Sequence, residues 1–112
     1  MIQDYGFGCI TIDGTTYHTD VVIYPERVDD RWWRKEGHRL QLDDLEAVIE
    51  THPATLVVGT GYFGRMHVDP AVSDWLQQQG ITLIACGTKE ACAVFNRLRE
   101  TQKVVAALHL TC

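Results

Sequence analysis

The stretch Thr55-Leu56-Val57-Val58-Gly59-Thr60-Gly61-Tyr62-Phe63-Gly64-Arg65-Met66-His67-Val68-Asp69-Pro70 decides the fold. Thr55 to Gly59 is a short continuous apolar run, the pattern of a strand covered on both faces. A glycine-rich turn follows. Asp69-Pro70 then opens a helix with an N-cap carboxylate and a proline at the first helical position, where its missing N–H costs nothing. Val72, Trp75 and Leu76 lie at i, i+3 and i+4 on one side of that helix, and Gly80 is its expected terminator.

Working toward the C-terminus, Ile81 to Cys86 reads as another buried strand, and Thr88 as the cap of a helix carrying Cys92, Phe95 and Leu98 on its inner face. Val104 to Leu110 closes the chain as a strand. Toward the N-terminus, Asp43 is the expected N-cap of a helix that has Glu46 three positions on and Leu45, Val48 and Ile49 on its apolar face. It stops before Pro53, because proline disfavours α geometry in its predecessor. Residues 25 to 39 read as a loop, and Arg39-Leu40-Gln41-Leu42 could form a short strand after it. Asp20 to Tyr24 reads as a strand, and Cys9 to Ile12 with Thr15 to His18 as a hairpin around Asp13-Gly14, a dipeptide that tolerates the positive φ angles of a tight turn. The expectation is an α/β fold: a three-layer single domain spanning residues 1–112, with a mixed central β-sheet, an N-terminal antiparallel hairpin and three helices.

The 112 residues suit one domain, for which roughly two-thirds of the extended surface is buried on folding. With 46% apolar and 22% charged residues, the composition is that of a globule rather than a disordered chain. No apolar run approaches the ~20 residues of a membrane-spanning helix. A cytoplasmic location is expected. The net charge of −5 opposes phosphate backbones, and the densest basic segment, residues 26 to 39, interleaves Glu26, Asp29, Asp30 and Glu36 with its arginines and lysine. No nucleic-acid partner is expected. Cys9, Cys86, Cys92 and Cys112 contain no C-x-x-C pair, the five histidines are dispersed, and neither a metal site nor a cofactor is expected.

Gly59-Thr60-Gly61-Tyr62-Phe63-Gly64 satisfies G-x-G-x-x-G, but a dinucleotide fingerprint runs straight into its helix, whereas here the helix begins five residues later. Two readings stay open. Gly59 and Gly61 could serve only the backbone path out of a central strand. Alternatively, the amides of Thr60 and Gly61, with Arg65, the helix start at Thr88 and Asn96 on the same helix, could hold a small anion or other ligand. His67 and Asp69 resemble an acid/base pair but lack a nucleophile at fixed spacing, so no catalytic residue is assigned. Asn96, on or beside a buried helical face, needs hydrogen-bond partners and is expected to tie its helix to neighbouring backbone, with the Gly59 to Gly61 turn as candidate. Trp32, Trp33 and Arg34 either pin their loop to the sheet or, if exposed, anchor a protein partner.

Several segments together carry a family resemblance: Trp33-Arg34 with Gly37-His38, Val58-Gly59-Thr60-Gly61, Gly80-Ile81, Thr88-Lys89-Glu90-Ala91-Cys92-Ala93-Val94-Phe95-Asn96-Arg97-Leu98, and Val105-Ala106-Ala107-Leu108. The pattern resembles the small α/β domain family that includes the adipogenesis-associated protein and mitochondrial NADH dehydrogenase (complex I) assembly factor 3. The resemblance implies a three-layer fold around a mixed sheet and a family of unknown biochemical function, some of whose members act through protein partners. With no mitochondrial targeting extension in the sequence, a minimal prokaryotic member is expected. The functional expectation is a non-catalytic interaction or assembly-type module. The alternative is a small-molecule or anion binder at the glycine turn, which could be an enzyme.

Overall fold

A computed structural model describes residues 1–112 and leaves 6169 Å² of surface accessible. Three strands, β1 (Ile2–Gly6), β2 (Cys9–Ile12) and β3 (Thr15–Tyr17), form an antiparallel sheet in the order β1-β2-β3. The β2–β3 hairpin lies where Asp13-Gly14 places it, and both turn residues have positive φ. Strand β1 goes beyond the expected hairpin. Its alternation is weak, since only Ile2 is buried, and it is held by pairing with β2 and by helix α3 described below.

The central sheet holds β4 (Val21–Ile23), β5 (Val28–Asp29), β7 (Thr55–Gly59), β9 (Thr82–Cys86) and β10 (Val104–Leu108) in the order β5-β4-β10-β7-β9. Strands β10, β7 and β9 are mutually parallel neighbours, and β4 joins β10 antiparallel. The sheet is therefore mixed. Every residue of β7 and β10 is buried, as their unbroken apolar runs require of strands covered on both faces. Strand β9 departs from expectation: it lies at the sheet edge and is only partly buried, because β10 inserts on the other side of β7.

The pleat divides the core in two. Val57, Ala106, Leu108, Val21 and Ile23 face one side, where they pack against helix α3 (Thr88–Leu98) and the apolar residues of β1 and β2. Leu56, Val58, Val105, Ala107 and Val22 face the other, against α1 (Glu46–Glu50) and α2 (Pro70–Gln78). This is the three-layer α/β arrangement. The 25–39 loop contains β5, and the short β6 (Arg39–Leu40) pairs in parallel with β8 (His67–Val68). Strand β6 lies within the stretch expected to be extended, whereas β5 and β8, of two residues each, lack a readable period.

The first helix begins as a 3₁₀ turn over Leu42–Leu45, and its entry differs from the Asp43–Glu46 box. Asp44 is the capping carboxylate, accepting the Gln41 amide at 2.9 Å and the Lys35 amide at 3.1 Å. Asp43 instead pairs with the Lys35 ammonium. Helix α3 likewise starts one residue earlier than its expected cap, with Gly87 at the N-cap and Thr88 already helical.

Gly59 ends β7 where α3 and β10 approach it. A Cβ there would stand 2.7 Å from Thr88 Oγ1 and 2.9 Å from Leu108 Cδ2. Gly59→Ala should therefore destabilise the protein by about 1–3 kcal/mol through overpacking, read as a lowered urea midpoint with unchanged slope.

Candidate functional site

At the carboxyl end of β7 the chain turns through Thr60 and Gly61 and meets the start of α3 and the residues after β10. Thr88 is fully buried, and its hydroxyl accepts the Gly61 amide at 2.9 Å while donating to the His109 carbonyl at 2.6 Å. The Thr88 amide returns a bond to the Gly61 carbonyl at 3.1 Å. Gly61 adopts φ +111°, and an added Cβ would lie 2.5 Å from the Cys112 carbonyl carbon. Both features require glycine.

Apart from that of Phe63, the backbone amides of this turn are already donated. Those of Thr60, Tyr62 and Arg65 go to the carbonyls of Cys86, Thr111 and Cys112, and the Thr60 hydroxyl also reaches Cys86. Thr60, Gly61 and Thr88 are thus brought together as expected, but as a knot of internal bonds. An anion held on the amides of Thr60 and Gly61 would have to break two of them. Arg65 is exposed, with its guanidinium carbon 5.7 Å from the Phe63 ring centre. Asp69 meets Arg39 at 3.1 Å, and the His67 backbone pairs with His38.

Asn96 does tie α3 to a neighbouring backbone, but at β1. Its Oδ1 accepts the Ile2 amide at 2.8 Å and its Nδ2 donates to the Ile2 carbonyl at 2.7 Å. Thr88 holds the glycine turn instead. The Cys92 thiol is pushed up to about 12, chiefly by burial, so it packs as a neutral apolar group. Burial also pushes the Tyr5 hydroxyl up to about 12; it donates to the Leu110 carbonyl at 2.9 Å.

Two surfaces emerge around this knot. In the first, the β1–β2 turn and the glycine turn present Phe7, Tyr62 and Phe63, all more than half exposed. Their ring centres are 5.1–6.1 Å apart, with edge-to-face or tilted packing typical of interacting aromatics. Neither turn has a period that betrays it, and the sequence signal is only that three aromatics sit in glycine-flanked turns.

The second surface surrounds a polar cluster. Asp20 Oδ2 lies 2.9 Å from Arg34 Nη2 and 2.8 Å from His109 Nδ1, and Asp20 Oδ1 accepts the Leu110 amide at 2.8 Å. Nothing in the sequence pairs Asp20 with His109, which are 89 residues apart. The Trp32-Trp33-Arg34 element divides between its two readings. Trp32 is half-buried, donates Nε1–H to the Asp44 carbonyl at 2.9 Å and packs on the helical side of the core. Trp33 is 84% exposed. Arg34 stacks over the Trp32 ring and joins the Asp20 pair.

With this geometry in view, the match to known proteins is unambiguous. Residues 2–109 fit the family model described as protein of unknown function (DUF498/DUF598). The chain belongs to this family. Among solved structures, the DUF498/DUF598 domain is similar to the conserved hypothetical protein PH1505 from Pyrococcus horikoshii OT3, at 28% identity and a TM-score of 0.86, covering 100% of this chain and 99% of that one. A Bordetella pertussis protein described as a Mth938-like domain matches at 21% identity and a TM-score of 0.70 over 97% of this chain and 84% of that one. A Bartonella henselae protein described as an outer membrane protein matches at 21% identity and 0.82 over 99% and 94%. The latter two share the fold. The present DUF498/DUF598 chain has no helix long and apolar enough to cross a membrane.

Two substitutions check this geometry. Thr88→Val keeps the shape but strands the Gly61 amide and the His109 carbonyl, and should cost about 2–6 kcal/mol by chemical denaturation. Asp20 is held below the ordinary value of 3.8: burial opposes its ionisation, but hydrogen bonds from His109 and Leu110, the His109 charge interaction and Arg34 outweigh it. A carboxyl with a lowered folded pKa contributes stability above its unfolded pKa and loses it as pH falls through the folded one. The stability difference between wild type and Asp20→Asn should accordingly be largest above about pH 5 and shrink steadily below about pH 4.

Proposed function

We propose that this chain is a non-catalytic interaction module that docks a protein partner, in an assembly-type role, through Phe7, Tyr62 and Phe63. The observation that carries the reading is the contiguity of these three exposed rings, Tyr62 and Phe63 on a turn anchored by the buried Thr88 knot and Phe7 on a turn held by the bond from the Gly8 amide to the Leu110 carbonyl. Aromatic side chains are enriched at the core of protein interfaces, tyrosine is among the residues that carry most of the binding energy there, and a pre-ordered backbone lowers the ordering cost of using them. Arg65 beside Phe63 adds a second residue type enriched at such surfaces. In this reading the protein acts in the cytoplasm, and its net charge of −5 favours protein over nucleic acid as the partner.

The test is affinity capture from extract of the source cells with wild type and with Phe7→Ser/Phe63→Ser, followed by measured affinities for whatever is recovered. The double variant should bind at least about thirtyfold more weakly, the equivalent of losing one interface hot spot, with its thermal midpoint within a few degrees of wild type. Equal recovery by both proteins, or no specific partner, overturns the reading.

A further inference from the structure

One border of the central sheet is β9, which pairs with β7 alone. Its Thr82 amide is donated to the Ala54 carbonyl and its Cys86 carbonyl takes the Thr60 amide, so the main-chain groups of Thr82, Ile84 and Cys86 point inward. The direction alternates along a strand, which turns the N–H and C=O of Leu83 and of Ala85 outward, where no other strand meets them. These donors and acceptors match the main chain of an added strand.

A hollow lies at each end of this border. At the start of β9, Ser73 and Gln77 of α2 with residues 80–83 line one of about 480 Å³. Just past its end, Gly87, Tyr62 and the first turns of α3 as far as Ala93 line another of about 460 Å³. The two belong to opposite faces of the sheet, since Leu83 packs on the α2 side and Ile84 and Cys86 on the α3 side. Side chains of an added strand alternate likewise, so residues set opposite Leu83 and Cys86 point to different faces, one toward each hollow.

The rim from Thr82 to Cys86 carries no charge, and beside it Lys89 is offset by Glu90, so the border suits an uncharged segment. A second copy fits less well. Antiparallel pairing of β9 with itself about Ile84 sets Ala85 opposite Leu83 and Thr82 opposite Cys86, which offers only small side chains to the hollows. A strip of five residues, about 17 Å long, also falls well short of the roughly 1,200 Å² that a stable interface buries. A partner already held on Phe7, Tyr62 and Phe63 has no such deficit, and Tyr62 belongs both to that surface and to the second hollow.

We propose that the protein partner adds an extended, uncharged segment to β9 as a sixth strand of the central sheet, with large apolar side chains at i and i+3 over the two hollows. This rests on the docking reading above and names the form that the partner's contact takes.

The probe is a phage-displayed library of random dodecapeptides selected on the full-length protein, with the recovered peptides synthesised and titrated into ¹⁵N-labelled protein. They should carry the apolar pair at i and i+3, and at saturation amide exchange at Leu83 and Ala85 should slow at least about tenfold. Methylating the peptide nitrogens that face β9 should abolish binding. Ala85→Pro removes an outward N–H at an edge position, where proline is tolerated, and should weaken binding at least about tenfold. If that variant fails to fold, the methylated peptides decide. Phe7→Ser/Phe63→Ser should bind the peptides as wild type does, which separates failure here from failure of the aromatic docking surface. Strand addition is overturned, with that surface left standing, by peptides that bind at Phe7 and Phe63 while Leu83 and Ala85 exchange freely. It is also overturned by recovery of no peptide, or by undiminished binding of methylated peptides or of Ala85→Pro. Exchange that slows with protein concentration alone identifies a second copy as the occupant and overturns it too.

Discussion

The buried hydroxyl of Thr88 is the contact on which the arrangement of this molecule depends. It sits where three segments distant in sequence converge: the exit from β7, the first turn of α3 and the residues following β10. One oxygen satisfies both a donor and an acceptor that would otherwise be stranded in the interior, and the cost of stranding them exceeds the net gain of an average hydrogen bond. The same contact sets the glycine requirement. Gly59 admits the threonine side chain, and Gly61 lets the backbone pass against residues 111 and 112.

That knot also bears on where the two candidate surfaces lie. Tyr62, Phe63 and the tryptophan loop are on connections leaving the central sheet, Phe7 is on the β1–β2 turn beside them, and both surfaces inherit order from bonds beneath them. Tyr62 and Phe63 rest on a turn whose amides are donated to Cys86, Thr88, Thr111 and Cys112, Phe7 on a turn whose Gly8 amide is donated to Leu110, and Asp20 links the tryptophan loop to His109 and Leu110 at the end of the chain. Surface variation on an immobile frame is how one fold hosts different binding partners.

The legible parts of the fold are those with a strong period or a specific turn residue. The apolar runs of β7 and β10, the Asp69-Pro70 start of α2, Gly80 after it and the Asp13-Gly14 hairpin all lie where their chemistry puts them. The edge position of β9 is not legible, because Thr82 to Cys86 is as apolar as a central strand and only the parallel pairing of β10 with β7 displaces it. The two-residue strands β5 and β8 have no period to read, whereas β6 falls within the short polar–apolar alternation of residues 39–42. At the candidate sites, the glycine turn, Thr88 and the exposed Trp33 are visible locally. Asp20 with His109, and Phe7 with Tyr62 and Phe63, are not, since each grouping is made by tertiary pairing between distant parts of the chain. Asn96 shows the intermediate case: the need for a backbone partner is readable, but which backbone it meets is decided by the docking of β1.

The edge location of β9 leaves the sheet with two unlike rims. The β5 rim is two residues long, while the β9 rim is five, Thr82-Leu83-Ile84-Ala85-Cys86, with neither a proline nor a charged side chain to interrupt it. Natural sheets usually blunt such a border with lysine, proline or a bulge, because its free main-chain groups can template another extended segment. Here the border is left unguarded by side-chain chemistry, and the outward main-chain groups of β9 have only solvent to satisfy them.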